Sequence, residues 1–174
     1  MNIDDKKIDI KIANIDNLID FKLIAKDFID FIKDFKEKFL NDRFFILSAY
    51  YNNILIGILI AEDVTKKIDS LNKILPTMQI YLIYINPNFR KKNIGKKLLE
   101  KFKDLQKERG IARIIVKLPV MYKKGIQFFL KNNFSQIKKT NNKLILEIDL
   151  WNDYGIKNCD IIDEEFEFGG TFDI

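Results

Sequence analysis

The stretch YLIYINPNFRKKNIGKKLL, residues 81–99, decides the fold of this chain. Its first five residues are β-branched, aromatic or aliphatic and predict a strand, which the Asn86-Pro87 pair ends in a turn. Asn93 and Gly95 then open a helix, whose apolar residues recur at helical spacing: Ile94, Leu98, Phe102 and Leu105. A tight loop at a helix N-terminus leaves backbone N–H groups unpaired, here beside a cluster of lysines and an arginine. The stretch therefore predicts a phosphate-binding site.

Composition limits the chemistry that the chain can perform. Its 174 residues suit one domain, predicted to span residues 1–150, with an acidic, aromatic C-terminal extension over residues 151–174. The sequence has no histidine and one cysteine, Cys159. An internal disulfide, imidazole or thiolate metal sites, and nucleophile pairs that need histidine are thereby excluded, and no metal is expected. Carboxylates, hydroxyls, lysines and the backbone remain available for catalysis.

Charge and hydropathy indicate where the protein works. The formal net charge is +5, although residues 151–174 hold seven acids and one lysine, so the body is strongly basic. No nucleic-acid-reading motif accompanies that charge, which makes a nucleic-acid surface the weakest interpretation. The longest apolar run, Ile54–Ala61, is too short to cross a bilayer, and no secretory signal precedes it. We therefore predict a cytoplasmic protein with no membrane partner.

Periodicity along the rest of the chain predicts the order β, α, α, β, β, β, α, β, α, β, β. Phenylalanines at helical spacing between residues 15 and 40 form the core face of one long or two shorter helices, and residues 63–77 form a surface loop or short helix. The strands outside the opening stretch are Ile8–Ile12, Phe44–Tyr51, Ile54–Glu62, Ile111–Leu118, Ser135–Lys139 and Lys143–Leu150, and a second helix spans Lys123–Asn132. The class is α/β, with a central mixed, mostly antiparallel sheet of about seven strands and helices on both faces.

This order, together with the basic loop, resembles the GCN5-related N-acetyltransferase (GNAT) superfamily over residues 8–150. The family's acyl-CoA loop, Gln/Arg-x-x-Gly-x-Gly/Ala, matches residues 90–95 except that Asn93 replaces a glycine. Residues 83–87 are similar to the family's fourth strand, and residues 126–134 are similar to its late helix. The resemblance implies acetyl-CoA as acyl donor. It implies that the backbone of Ile83 and Ile85 binds the pantetheine arm, and that the pyrophosphate is held by residues of the loop: Arg90, Lys91, Lys92, Asn93, Ile94, Gly95 and Lys96. Asn93 can replace the glycine because asparagine enters the left-handed region readily.

The chain departs from the family at positions that carry catalysis. Many members have a tyrosine on the late helix as general acid, and this chain has Phe129 at that position. The asparagine that often lies seven residues before the tyrosine is replaced by Tyr122. The glutamate that some members have on the fifth strand is replaced by Lys117. Tyr122, Tyr84 and Tyr81 are substitute proton donors, each with an ordinary aromatic packing role as the alternative. Glu62 is the candidate base and Gln79 could border the acceptor cleft, although a strand-end carboxylate needs no catalytic role.

Two functions fit the resemblance. The first is an N-acetyltransferase that moves an acetyl group from acetyl-CoA to a primary amine, of a small molecule or a protein, by direct attack. The second is a non-catalytic acyl-CoA-binding or regulatory protein of the same fold. For the tail, the alternatives are an edge strand, a subunit contact in a homodimer, a cover over the acceptor cleft, and a frayed terminus.

Overall fold

The computed structural model describes residues 7–13, 44–65 and 75–151. The predicted helical segment 15–40, most of the predicted loop 63–77 and the tail 152–174 lie outside the described residues. The elements, numbered in chain order, are β1 (Ile8–Ile12), β2 (Phe44–Tyr51), β3 (Ile54–Asp63), β4 (Thr77–Ile85), α1 (Ile94–Glu108), β5 (Arg113–Pro119), α2 (Lys123–Lys131), β6 (Ser135–Lys139) and β7 (Lys143–Asp149). A single 3-10 turn, Pro87–Phe89, follows β4.

The strands form one seven-stranded mixed sheet in the order β1-β2-β3-β4-β5-β7-β6. All neighbours are antiparallel except β4 and β5, which run parallel because α1 crosses over between them. The predicted sheet and the predicted parallel pair are confirmed.

The predicted start of the strand in residues 81–99 is wrong. The apolar run predicts a strand from Tyr81, but β4 begins four residues earlier, at Thr77. Residues 77–80 alternate polar and apolar, and Met78 and Ile80 face the core while Thr77 and Gln79 are buried as polar partners. The carbonyl of Pro76 accepts hydrogen bonds from Ala112 and Arg113, so the strand starts directly after this proline.

Each face of the sheet has its own apolar cluster. The face that we call the first face carries α1 and α2, and its core includes Leu98, Leu99 and Phe102 of α1 and Phe129 of α2, all buried against the strands. The opposite face, the second face, has a smaller cluster built by Phe44, Ile46, Ile58 and Ile60, against which Tyr81, Leu82 and Tyr84 pack. Both described helices therefore cover the same face.

Asparagines and a glycine form the tight turns. Asn52 and Asn53 join β2 to β3 with φ of 49° and 62°, as their tolerance of positive φ predicts. Gly110 follows α1 with φ of 75°, and Asn133 follows α2 with φ of 69°. These turns fix where β3, β5 and β6 begin.

Candidate acyl-CoA site

A gap opens between β4 and β5 at their carboxyl ends. The two strands pair from Thr77↔Arg113 only as far as Ile80↔Val116. Beyond that point β4 continues to Ile85 beside β3, while β5 continues to Pro119 beside β7. Because both strands go on without each other, the last five residues of β4 present one edge to a gap rather than to a strand.

The hydrogen-bond pattern shows which backbone groups face this gap. Asn86 N donates to the carbonyl of Ile56 at 2.9 Å, so in the antiparallel ladder Tyr84 and Leu82 also bond toward β3. The N–H and C=O groups of Ile83 and Ile85 consequently point the other way, into the gap. Arg90 Nε donates to the Ile85 carbonyl at 3.0 Å, which agrees with that direction.

The loop after β4 forms an anion-binding concavity. Lys91 and Asn93 both have left-handed backbone, with φ of 62° and 56°. The first helical hydrogen bond of α1 is donated by Lys97 N to the Asn93 carbonyl at 3.0 Å, so the N–H groups of Ile94, Gly95 and Lys96 have no acceptor among the described residues. Alternating left- and right-handed residues that lead into a helix N-terminus make a nest of N–H groups for an anion. The predicted conformation of Asn93 is confirmed, whereas that of Lys91 was not anticipated.

Side chains hold the loop in place. Phe89 packs against Tyr51 of β2, with ring centroids 6.2 Å apart, and Lys92 Nζ lies 5.7 Å from the centre of the Phe89 ring. Lys96 Nζ lies 3.6 Å from a carboxylate oxygen of Glu100 on an exposed part of α1. The first turn of α1 contains no acidic residue, so nothing there opposes an anion.

Gly95 lies where α1 approaches α2 and β4. A Cβ at this position would lie 3.6 Å from the Phe128 ring of α2 and 3.8 Å from the Ile85 side chain. These are ordinary contacts, so an alanine would fit here. The N-terminus of α1 thus lies against α2 and β4 at the end of the gap.

A β-bulge lies where the gap begins. Ile60 pairs with Leu82 and Ala61 with Ile80, so Tyr81 is the extra residue of β4. Its hydroxyl donates to Glu62 Oε2 at 2.7 Å, and its ring packs edge-on against Phe44 with centroids 5.9 Å apart. Glu62 is only 4% exposed and pairs in register with Gln79. The carboxylate, the phenol and the amide are thereby brought together on the second face beside the gap.

The other sequence candidates lie in different parts of the fold. Tyr84 lies half-buried on the second face. Tyr122 is 55% exposed at the start of α2, and its ring covers Gly125, where any Cβ would overlap it. Phe129 is 5% exposed and sits in the first-face core, with ring centroids 5.2 Å from Phe128 and 5.0 Å from Phe134. Lys117 is exposed on β5, one residue beyond the last β4–β5 pair.

The contact between Glu62 and Tyr81 could not be found from the sequence, because the two residues are 19 positions apart and meet only through the register of β3 and β4. The sequence does contain one signal for the bulge. Tyr81, Leu82 and Tyr84 follow an alternating segment, so the polar–apolar alternation changes phase at Tyr81.

Comparison with known proteins identifies relatives of this fold. A family model described as "Acetyltransferase (GNAT) family" matches residues 14–134. Among solved structures, Arabidopsis thaliana NAA60 in complex with acetyl-CoA matches with a TM-score of 0.67 and 13% identity, over 82% of this chain and 98% of that chain. The PaiA N-acetyltransferase of Thermoplasma acidophilum in complex with coenzyme A matches with a TM-score of 0.64 and 20% identity, over 82% and 98% of the two chains.

A third match is the ribosomal-protein-S18-alanine N-acetyltransferase of Escherichia coli, with a TM-score of 0.62 and 14% identity, over 82% of this chain and 94% of that chain. Within residues 7–13, 44–65 and 75–151, no cluster of side chains could hold a metal ion, and neither helix is long and apolar enough to span a bilayer.

Proposed function

Since the chain belongs to the acetyltransferase (GNAT) family, we propose that it binds acetyl-CoA between β4 and β5 and transfers the acetyl group to a primary amine. The observation that carries the proposal is the gap between these strands, with gap-facing amides on one side and a nest of N–H groups at its end. Two of the matched structures contain acetyl-CoA or coenzyme A, which supports this ligand.

The residues of the gap fit the two polar parts of acetyl-CoA. The N–H and C=O of Ile83 and the N–H of Ile85 would pair with the pantetheine amides, as an added strand would. The loop N–H groups from Lys91 to Lys96 would hold the pyrophosphate, with the lysines adding charge. Arg90 contributes indirectly, because its guanidinium fastens the loop to the Ile85 carbonyl.

Acetyl-CoA supplies a thioester, whose carbonyl carbon accepts the amine and whose C–S bond then breaks to release CoA. The protein must hold the amine about 3 Å from that carbon, take up the proton that the amine loses, and stabilise negative charge on the carbonyl oxygen. The gap-facing N–H of Ile83 or Ile85 is suited to stabilise this charge. Glu62 is the proposed base, with the Tyr81 hydroxyl between its carboxylate and the gap.

The proton for the departing thiolate has no donor at the family's usual position, since Phe129 lies in the core. Tyr122 and Tyr84 are the proposed substitutes, and solvent, which reaches the exposed Tyr122, can also supply the proton. The same observation favours a second candidate function, in which the protein binds acyl-CoA and transfers nothing. The fold of this protein allows either one.

One experiment separates the two functions. The purified protein is incubated with acetyl-CoA and a panel of amines and peptides, and both thermal stabilisation and free CoA thiol are measured. Stabilisation with acceptor-dependent thiol release supports the transferase. Stabilisation without release for any acceptor supports the binding protein, and the lack of both rejects acetyl-CoA as the ligand.

A further inference from the structure

Lysines are concentrated on the second face beyond the point where β4 and β5 stop pairing. Lys117 pairs in register with Ile145, and Ile145 pairs with Lys138, so the three side chains share one face in one row across β5, β7 and β6. In the next row toward the carboxyl end of β5, Lys143 pairs with Pro119. The apolar partners Leu118 and Leu144 point to the first face, which places all three lysines on the second.

The acids of the same face lie in the opposite direction. Register places Glu62 and Glu147 one row back from Lys117, and Asp149 two rows back, on the side where β4 and β5 are still paired. Glu147 is engaged by Arg113, with Nη1 and Oε2 3.3 Å apart, and Glu62 accepts the Tyr81 hydroxyl. Lys117 and Lys138 have no ion-pair partner within the described part of the chain.

Opposite charges on this face are therefore separated along the strand direction, with a buried carboxylate at one end and exposed ammonium groups at the other. Glu62 and Lys117 lie two strands and one row apart, so their backbones are separated by about 12 Å. A lysine side chain spans about 6 Å of that distance, so a small molecule can meet both groups. Its amine would lie toward Glu62 and an anionic group toward Lys117.

We propose that the acceptor is a small primary amine that carries a carboxylate or a phosphate group, selected by Lys117 with support from Lys138 and Lys143. The proposal rests on the proposed function and narrows its substrate class. Polyamines and basic peptides are disfavoured, since their additional cations would face the lysines. A carboxylate and a phosphate would use the same ammonium groups, and the test distinguishes them.

The hairpin provides a matched control for this proposal. Lys138 and Lys139 are adjacent and both exposed on β6, but Lys139 pairs with Leu144 and therefore lies toward the first face. Lys139→Gln removes the same charge from the same strand as Lys138→Gln. A difference between the two variants consequently reports the face on which the acceptor binds, rather than the overall charge of the protein.

The experiment measures acceptor affinity for the complex of the protein with CoA, which cannot react. Calorimetric titrations compare O-phosphoethanolamine with ethanolamine, and γ-aminobutyrate with butylamine, at low and high salt. We expect the anionic member of at least one pair to bind about tenfold more tightly at low salt, as one nearby opposite charge allows, and salt to reduce the difference. The pair that shows the preference identifies phosphate or carboxylate as the anion.

Lys117→Gln should remove most of that preference, Lys138→Gln a smaller part, and Lys139→Gln none. Equal affinities within both pairs, no binding of any of the four compounds, or an equal effect of Lys139→Gln would overturn the proposal. Thiol release from acetyl-CoA is followed in parallel with the same amines and with spermidine. Release with neutral amines alone rejects this inference and leaves the transferase intact, whereas anion-selective binding without release rejects the transferase and leaves the inference intact.

Discussion

Replacement of Asn93 by alanine should weaken acetyl-CoA binding through the backbone alone. Asn93 has φ of 56° and ψ of 8°, and its side chain makes no capping hydrogen bond to α1. An alanine in this region costs about 1–2 kcal/mol, and asparagine pays less of that cost. We therefore expect a net penalty of about 1 kcal/mol for the nest conformation, which corresponds to about a fivefold increase in the Kd for acetyl-CoA.

Calorimetric titration of acetyl-CoA measures this effect, and Asn93→Gly should bind at least as tightly as the original protein because glycine adopts positive φ freely. Asn53, with φ of 62° in the β2–β3 turn, supplies the control. Asn53→Ala should lower stability by a similar amount and leave the Kd unchanged. An unchanged Kd for Asn93→Ala, or an equal change for Asn53→Ala, would refute the assignment of the nest as the pyrophosphate site.

Three further substitutions test the proposed base, the core and the position of the missing general acid. Glu62→Gln should lower kcat by about 10²-fold or more with little change in the Kd for acetyl-CoA, measured by thiol release and titration; an unaffected kcat would exclude Glu62 as base. Phe102→Ala should lower the free energy of unfolding in urea by about 3–5 kcal/mol, because Phe102 is fully buried; a loss below about 1 kcal/mol would contradict its place in the core. Phe129→Tyr should destabilise the protein by about 1–3 kcal/mol and leave kcat unchanged, since the added hydroxyl enters the aromatic cluster; a higher kcat would show that this ring reaches the gap.

The parts of the fold that follow from local chemistry were predictable from the sequence. Asn52 and Asn53 predict the β2–β3 turn, and the spacing of Ile94, Leu98 and Phe102 predicts the buried side of α1. The left-handed conformation of Lys91 was not predictable, because lysine has no preference for positive φ and adopts it here through the surrounding loop. The early start of β4 was missed because its first residues are half polar and are buried only by neighbouring strands.

The candidate site also has one part that the sequence predicts and another part that it does not. The loop residues 90–96 are contiguous, so their sequence indicates an anion site without any knowledge of the fold. The gap depends on where pairing between β4 and β5 stops, and the contact between Tyr81 and Glu62 depends on the register of β3 and β4. Both are long-range properties, and residue types alone do not determine register to within one position.

The bulge at Tyr81 connects the two halves of the site. Before the bulge, Val64 N donates to the Thr77 carbonyl, so the odd-numbered residues of β4 bond toward β3 and the even-numbered ones toward β5. After the bulge, Asn86 N donates to the Ile56 carbonyl, so the even-numbered residues bond toward β3 and the odd-numbered ones face the gap. The first-face core nevertheless continues past the bulge, because Ile80 before it and Ile83 after it both pack there, while Tyr81 and Leu82 pack on the second face. One extra residue thus turns the amides of Ile83 and Ile85 into the gap without exposing their side chains, and it places the Tyr81 hydroxyl on Glu62. Binding of acetyl-CoA and activation of the acceptor would therefore depend on the same local irregularity in β4.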